Sequence, residues 1–184
     1  YFDYNAYLFR DKNNGVSNES LIERTERKFA GVEITDYSTQ NNTDLALPII
    51  ESYTFSSDNL VETIGNTMYI SPMLLFTLTE NPFKQEAREY PVDFGFPNQD
   101  KFNVSLTIPE GYTIETIPQP KAIAMPDGLA NFKYNISNTE NVIQLTYAVD
   151  INMAIINADY YDALKNFFKE LVNKQTEKIV LKKG

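Results

Sequence analysis

The stretch IQLTYAVDI, residues 143–151, sets Ile143, Leu145, Tyr147, Val149 and Ile151 on one side of an extended chain and the residues between them on the other. A period of two is the signature of a strand with one buried and one wet face. The stretch FNVSLTI, residues 102–108, repeats the pattern with Phe102, Val104, Leu106 and Ile108 facing one way. Between and beside these stretches, Pro109-Glu110-Gly111 and Pro126-Asp127-Gly128 read as type I turns in which proline fixes φ and glycine follows. Alternating strands joined by tight turns imply antiparallel pairing, not a βαβ series. The expected fold is therefore mainly β, an antiparallel sandwich-like core with two packed helices; the alternative is a two-layer α+β arrangement.

Working outward, VEITDYST (32–39), IIESYTF (49–55), NLVETI (59–64) and TMYI (67–70) read as further strands, separated by polar clusters. KIVLKK (178–183) reads as a short strand with lysines blunting its end. The opening FDYNAYLF is read as a short strand. Two helices are expected, near residues 18–30 and 158–175. In the first, Ser17 or Asn18 can cap, Ser20 and Glu23 can form a capping box, Leu21, Ile22, Thr25 and Phe29 form the apolar stripe, and Gly31 suits the left-handed position past the end. In the second, Asn157 or Asp159 can cap, and Tyr161, Leu164, Phe168, Leu171 and Val172 share one face. No internal repeat is present, which disfavours a solenoid or propeller.

The 184 residues suffice for one domain, or two small ones, with a true core. A formal net charge of -9 repels phosphate backbones, so nucleic acid is not an expected partner. No apolar run reaches the length of roughly 20 residues that a membrane-spanning helix needs. The first residues lack a basic start, an apolar stretch and a small-residue cleavage site. The chain also opens on Tyr, and it is expected to be a segment of a longer protein.

The chain contains no cysteine and no histidine. A thiolate nucleophile, a thiolate metal site and the usual general base near neutral pH are therefore all missing. Phosphate-cradling glycine loops and a G-x-S-x-G elbow are missing too, with only 7 glycines in the chain. Asp11, Asn13 and Gly15 resemble the opening of a calcium loop, but the glycine is one position early and the twelfth position is Ile22, which cannot ligate. Asp93, Asp127, Asp150 and Asp159 are the acidic candidates for paired-carboxylate chemistry, and each sits where a turn or cap role is expected. Exposed Tyr could line a carbohydrate groove, against the structural reading of core and cross-strand packing. No catalytic, cofactor-binding or metal-ligating residue is assigned, and no cofactor is expected.

Residues 80–97, ENPFKQEAREYPVDFGFP, read as a structural junction. Asn81-Pro82-Phe83 breaks the chain before a new strand, Phe83 plugs the core, Pro91 suits a strand's first residue, and Arg88 bridges through a carboxylate or carbonyls. NPF, then R-x-YPVDF, then IPEGY, then the ending ADYYDALKNFFKELVNKQTEKIVLKK together resemble the C-terminal domain called DUF3858 of Bacteroidetes proteins that join a DUF3857 domain to a transglutaminase-like core. The resemblance rests on Asn81, Pro82, Phe83, Arg88, Pro91, Val92, Pro109, Gly111, Tyr112 and Tyr161, and is strongest over 80–184. It implies a β-rich C-terminal domain at 80–184 with a terminal helix, and a segment 1–79 leading out of an upstream core, the two able to form one unit. It also implies an exported, periplasmic or cell-surface protein. The Cys, His and Asp set of such cores finds no residues here to receive it, so the expected role is that of a non-catalytic accessory domain. The expected partner is the transglutaminase-like domain of the same polypeptide; a peptide or glycan ligand is the alternative, and a carboxylate-based hydrolase a third reading.

Overall fold

The computed structural model describes all 184 residues. Strand residues outnumber helical ones, 40% to 26%, and every ladder is antiparallel, so the chain is mainly β as expected. It divides into two compact units, Tyr1–Leu60 and Val61–Gly184.

The first unit opens with α1 (Asp3–Asn13), where the sequence suggested a strand. Tyr and Phe favour strands as a local preference. Distant contacts override it here. The Arg10 side chain, on the last turns of α1, donates to the carbonyl oxygens of Asn41, Asp44 and Leu47 at 2.9, 2.6 and 2.7 Å. Ala6 is buried on the same helix. Next comes α2 (Asn18–Lys28), whose N-cap is Ser17, the side chain accepting from the Ser20 amide. Gly31 follows at φ 78°, where the backbone favours glycine, and a Cβ there would have to displace the Asn59 side-chain amide, 2.1 Å away. The unit's sheet is a two-stranded ribbon of β1 (Val32–Gln40) and β2 (Ile50–Ser57), with a bulge at Thr35.

The second unit carries β3 (Val61–Ile64), β4 (Thr67–Ile70), β5 (Val92–Asp93), β6 (Asn98–Thr107), β7 (Tyr112–Thr116), β8 (Lys121–Ala124), β9 (Ala130–Thr139), β10 (Val142–Ile151), β11 (Ile155–Ile156), α3 (Tyr161–Thr176) and β12 (Ile179–Lys183). One sheet runs β6-β10-β9-β8 and the other β3-β4-β12-β7, while β5 pairs with β11. All five alternating residues of β10 are buried, as their period predicts. Phe102, Val104 and Leu106 of β6 face the same way but are only half-buried, because β6 is an edge. One core unites Phe132, Tyr134, Leu145 and Tyr147 of the first sheet, Ile70, Ile179 and Leu181 of the second, and Leu164, Phe167 and Leu171 of α3.

Three details depart from the sequence reading. β12 is a central strand between β4 and β7, and its lysines lie past the buried Ile179 and Leu181. At Pro126 the turn closes with Asp127 at φ 55° and Gly128 at φ 67°, a left-handed pair not found in a type I turn. Gly111 at φ 80° likewise gives the Pro109 turn a type II signature. The boundary between units falls at Leu60, whereas the division read from the sequence fell at residue 79. β3 and β4 belong to the later sheet, because β4 pairs with β12.

Candidate functional site

The motif residues of the 80–97 segment form a strap over α3. Asn81 Nδ2 donates to the Lys165 carbonyl at 2.8 Å, and its Oδ1 accepts from the Phe83 amide at 2.9 Å, so one side chain both turns the strap and pins it. Pro82 follows in that turn, and the Phe83 ring lies 4.9 Å from Phe168 and 6.1 Å from Tyr161, in edge-to-face contacts. Phe83 is half-buried, a cover over the core more than a plug in it. The Tyr161 hydroxyl and Lys165 Nζ both donate to the Gln85 carbonyl, at 3.0 and 2.7 Å. Arg88 makes no carboxylate or carbonyl bridge of the expected kind; its guanidinium stands over the Tyr161 ring at 5.9 Å. After Pro91, Val92 is buried and pairs with Ile156.

In the last turn of α3 lies a buried polar network that sequence reasoning missed. Lys174 and Gln175 are 5% and 3% exposed, which for such side chains demands partners. Lys174 Nζ donates to the Gln119 carbonyl at 2.9 Å, pairs with Glu177 at 2.7 Å, and lies 5.6 Å from the Tyr134 ring centre. Gln175 donates to the Tyr147 hydroxyl and accepts from the Leu78 amide. Burial pushes the Tyr134 and Tyr147 phenols well above the ordinary tyrosine range. Lys174 and Gln175 continue the stripe of Leu171 at three and four residues' spacing, so their position was legible and their side-chain type concealed it.

The acidic candidates are not brought together as a pair. Asp93 accepts from the Gly95 amide at 2.7 Å, Asp150 accepts from Gln99, and Asp127 accepts from the Tyr160 hydroxyl, with Asp159 one residue before that tyrosine. Asp127 holds the Tyr160 phenol above its usual range, through their hydrogen bond first. Where carboxyls move, they move down: Lys84 lowers Glu80, Lys121 lowers Glu170, and hydrogen bonds from its own amide and then from Ser17 lower Glu19. These shifts hold acids charged and phenols neutral, the reverse of tuning a group towards neutral pH. No group of three or more metal-ligating side chains forms. Asp11 and Asn13 lie in the last turns of α1, and Asn13 accepts from Arg24, so the calcium-loop resemblance has no loop behind it.

The first unit holds an open groove of about 610 Å³, lined by Tyr7, Arg10, Asn14, Leu21, Asn42 and Thr43 among others. Beside it α1 exposes Tyr4 and Tyr7, stacked at 5.8 Å. In the adjoining ribbon the Glu51 carboxylate accepts from Tyr1 and Tyr37, at 2.8 and 2.5 Å. Burial first, and then Glu51, raise both phenols.

Residues 66–181 match the family described as a domain of unknown function with solved structure, DUF3858. The chain belongs to the DUF3858 family. The strap, α3 and both four-stranded sheets lie largely within the matched residues. No curated protein matches the chain. Among solved structures, a crystal structure of a candidate protease from Parabacteroides distasonis is similar at 15% identity and a TM-score of 0.46. That similarity takes in 53% of this chain and 19% of the other protein, so the chain spans a small part of its relative's length. No helix of the DUF3858 chain is long and apolar enough to cross a membrane.

Proposed function

We propose that this DUF3858 chain is a non-catalytic accessory region of an exported transglutaminase-like or protease-like polypeptide. It packs against, or positions substrate for, a catalytic core lying outside these residues, at the periplasmic side or cell surface. The observation that carries this reading is the chain's chemistry: it has neither Cys nor His, lysine partners hold Glu80 and Glu170 charged, and burial holds the Tyr134 and Tyr147 phenols neutral. Acyl transfer needs an activated nucleophile and a positioned base, and these residues supply neither. The motif resemblance to Bacteroidetes proteins with DUF3857 and transglutaminase-like domains supplies the partner, the upstream domain of the same polypeptide.

The test compares three proteins: the parent polypeptide, the parent lacking residues 1–184, and the chain alone. Peptide amidase and transamidase rates should be absent from the chain alone, present in the parent, and lowered by the deletion mainly through a raised KM. Robust turnover by the metal-free chain alone would refute the proposal. A glycan- or peptide-binding role is the second reading, favoured by the exposed Tyr4 and Tyr7 beside the first unit's groove.

A further inference from the structure

The two edges of the β1–β2 ribbon are finished differently. Along β1, the Ile34 amide turns away from β2 and donates to Glu26 Oε1 at 2.8 Å, the Val32 amide donates to the Phe29 carbonyl, and the bulge at Thr35 twists the strand. That edge is occupied at Val32 and Ile34, and the bulge breaks its line beyond them. Ile34 stands opposite Phe55, and since its amide points outward, the two form a pair without mutual hydrogen bonds. Phe55 therefore aims its own N–H and C=O away from β1, and by the period of two so do Tyr53 and Glu51. No hydrogen bond in the structure reaches those three donors and three acceptors. The strand has no proline, lysine or bulge to blunt it.

One position on this edge is already paired. The Ile49 amide donates to the Tyr1 carbonyl at 3.0 Å, and the Tyr1 amino nitrogen donates to the Ile49 carbonyl at 2.9 Å. Such a mutual exchange is one rung of an antiparallel ladder. We propose that the outer edge of β2 receives a third antiparallel strand, formed by the stretch of the parent polypeptide ahead of Tyr1, in the register of the Tyr1 and Ile49 rung. This rests on the reading that a core domain lies upstream in the same polypeptide. Antiparallel continuation puts the second, fourth and sixth residues ahead of Tyr1 opposite Glu51, Tyr53 and Phe55. Those three side chains are half-buried on one face, where Tyr53 stacks at 6.5 Å on Tyr37 and lies tilted against Phe55 at 6.0 Å. The fourth and sixth residues ahead of Tyr1 are accordingly apolar or aromatic. A two-stranded ribbon is marginal in water, and a third strand is what such a ribbon needs.

Amide hydrogen exchange on the parent polypeptide and on the 184-residue chain tests the proposal. In the parent, the Glu51, Tyr53 and Phe55 amides should exchange slower by about 100-fold or more than in the chain, while Ser52 and Thr54, which face β1, act as the internal control. Equal exchange at the three amides in both proteins would overturn it. So would protection that appears in the chain alone and grows with concentration, which would give the edge to a second copy. If the parent carries no catalytic core yet protects these amides, the accessory reading falls and strand addition stands; a core present with the amides unprotected gives the reverse.

Discussion

The two units solve the burial problem unequally. The second gathers buried residues from two four-stranded sheets and α3 into one core, whereas the first buries Ala6, Leu21, Val32, Ile34, Tyr37 and Ile49 between two helices and a ribbon. Apolar area removed from water is the main favourable term in folding, so the second unit is the self-supporting one. The first relies instead on polar clamps: Arg10 on three carbonyls, Glu26 on an outward amide, Glu51 between two phenols. A unit held this way is shaped by its neighbours in sequence, and its free edge invites completion.

Alkali should break both units and erase the contrast. The buried phenols of Tyr134, Tyr147 and Tyr37, and that of the more exposed Tyr1, have folded-state values raised above the unfolded one. Their contribution is fully present below about pH 10, the ordinary tyrosine value, and is lost as pH rises beyond it. Absorbance of ionised tyrosine followed beside circular dichroism should show these phenols titrating only with unfolding; ionisation of all 12 tyrosines in a folded chain would contradict this.

Among substitutions, Phe132→Ala should be the most damaging, costing about 3–5 kcal/mol because the ring is fully buried. Its counterpart in the first unit, Leu21→Ala, should cost about 1–2 kcal/mol, below the usual Leu range because fewer neighbours surround it. Urea melts giving equal losses would break the comparison. Gln175→Ala should follow at about 2–4 kcal/mol, since it leaves the Tyr147 hydroxyl and the Leu78 amide without partners at roughly 1–3 kcal/mol each. Gln175→Met keeps much of the volume without the amide and separates lost hydrogen bonding from lost packing.

Phe83→Ala should cost about 2 kcal/mol, roughly half the figure for a fully buried ring, because the strap leaves it half-exposed. Smallest is Arg88→Ala, about 0.5–1 kcal/mol for an exposed cation over a ring. Thermal melts rank the two, and a larger loss for Arg88→Ala would restore the bridging role that the sequence suggested.

The sequence disclosed most where a period was long and uniform. β10 and β6 were legible because strict alternation over residues 143–151 and 102–108 admits one interpretation, and α2 because Ser17, the stripe and Gly31 agree. α1 was not, since Ala6 is its sole buried residue and its anchor, Arg10, acts on a loop more than thirty residues away. The lysine and glutamine of α3 were hidden because side-chain chemistry predicts exposure, and only the assembled core shows their partners. Of the site, the strap's existence was legible from its prolines and Phe83; its seat on α3 was not, because contacts from Asn81 and Gln85 span about eighty positions.

The placement of β12 has a consequence for how the molecule is made. Ile179 pairs with Ile70 and Leu181 with Ile114, so the sheet's middle is filled by the last of its four strands to be synthesised. Until then β4 and β7 have no neighbour on their facing sides, and the sheet cannot assemble stepwise during synthesis. A sheet of this design stays open down its middle until β12 emerges.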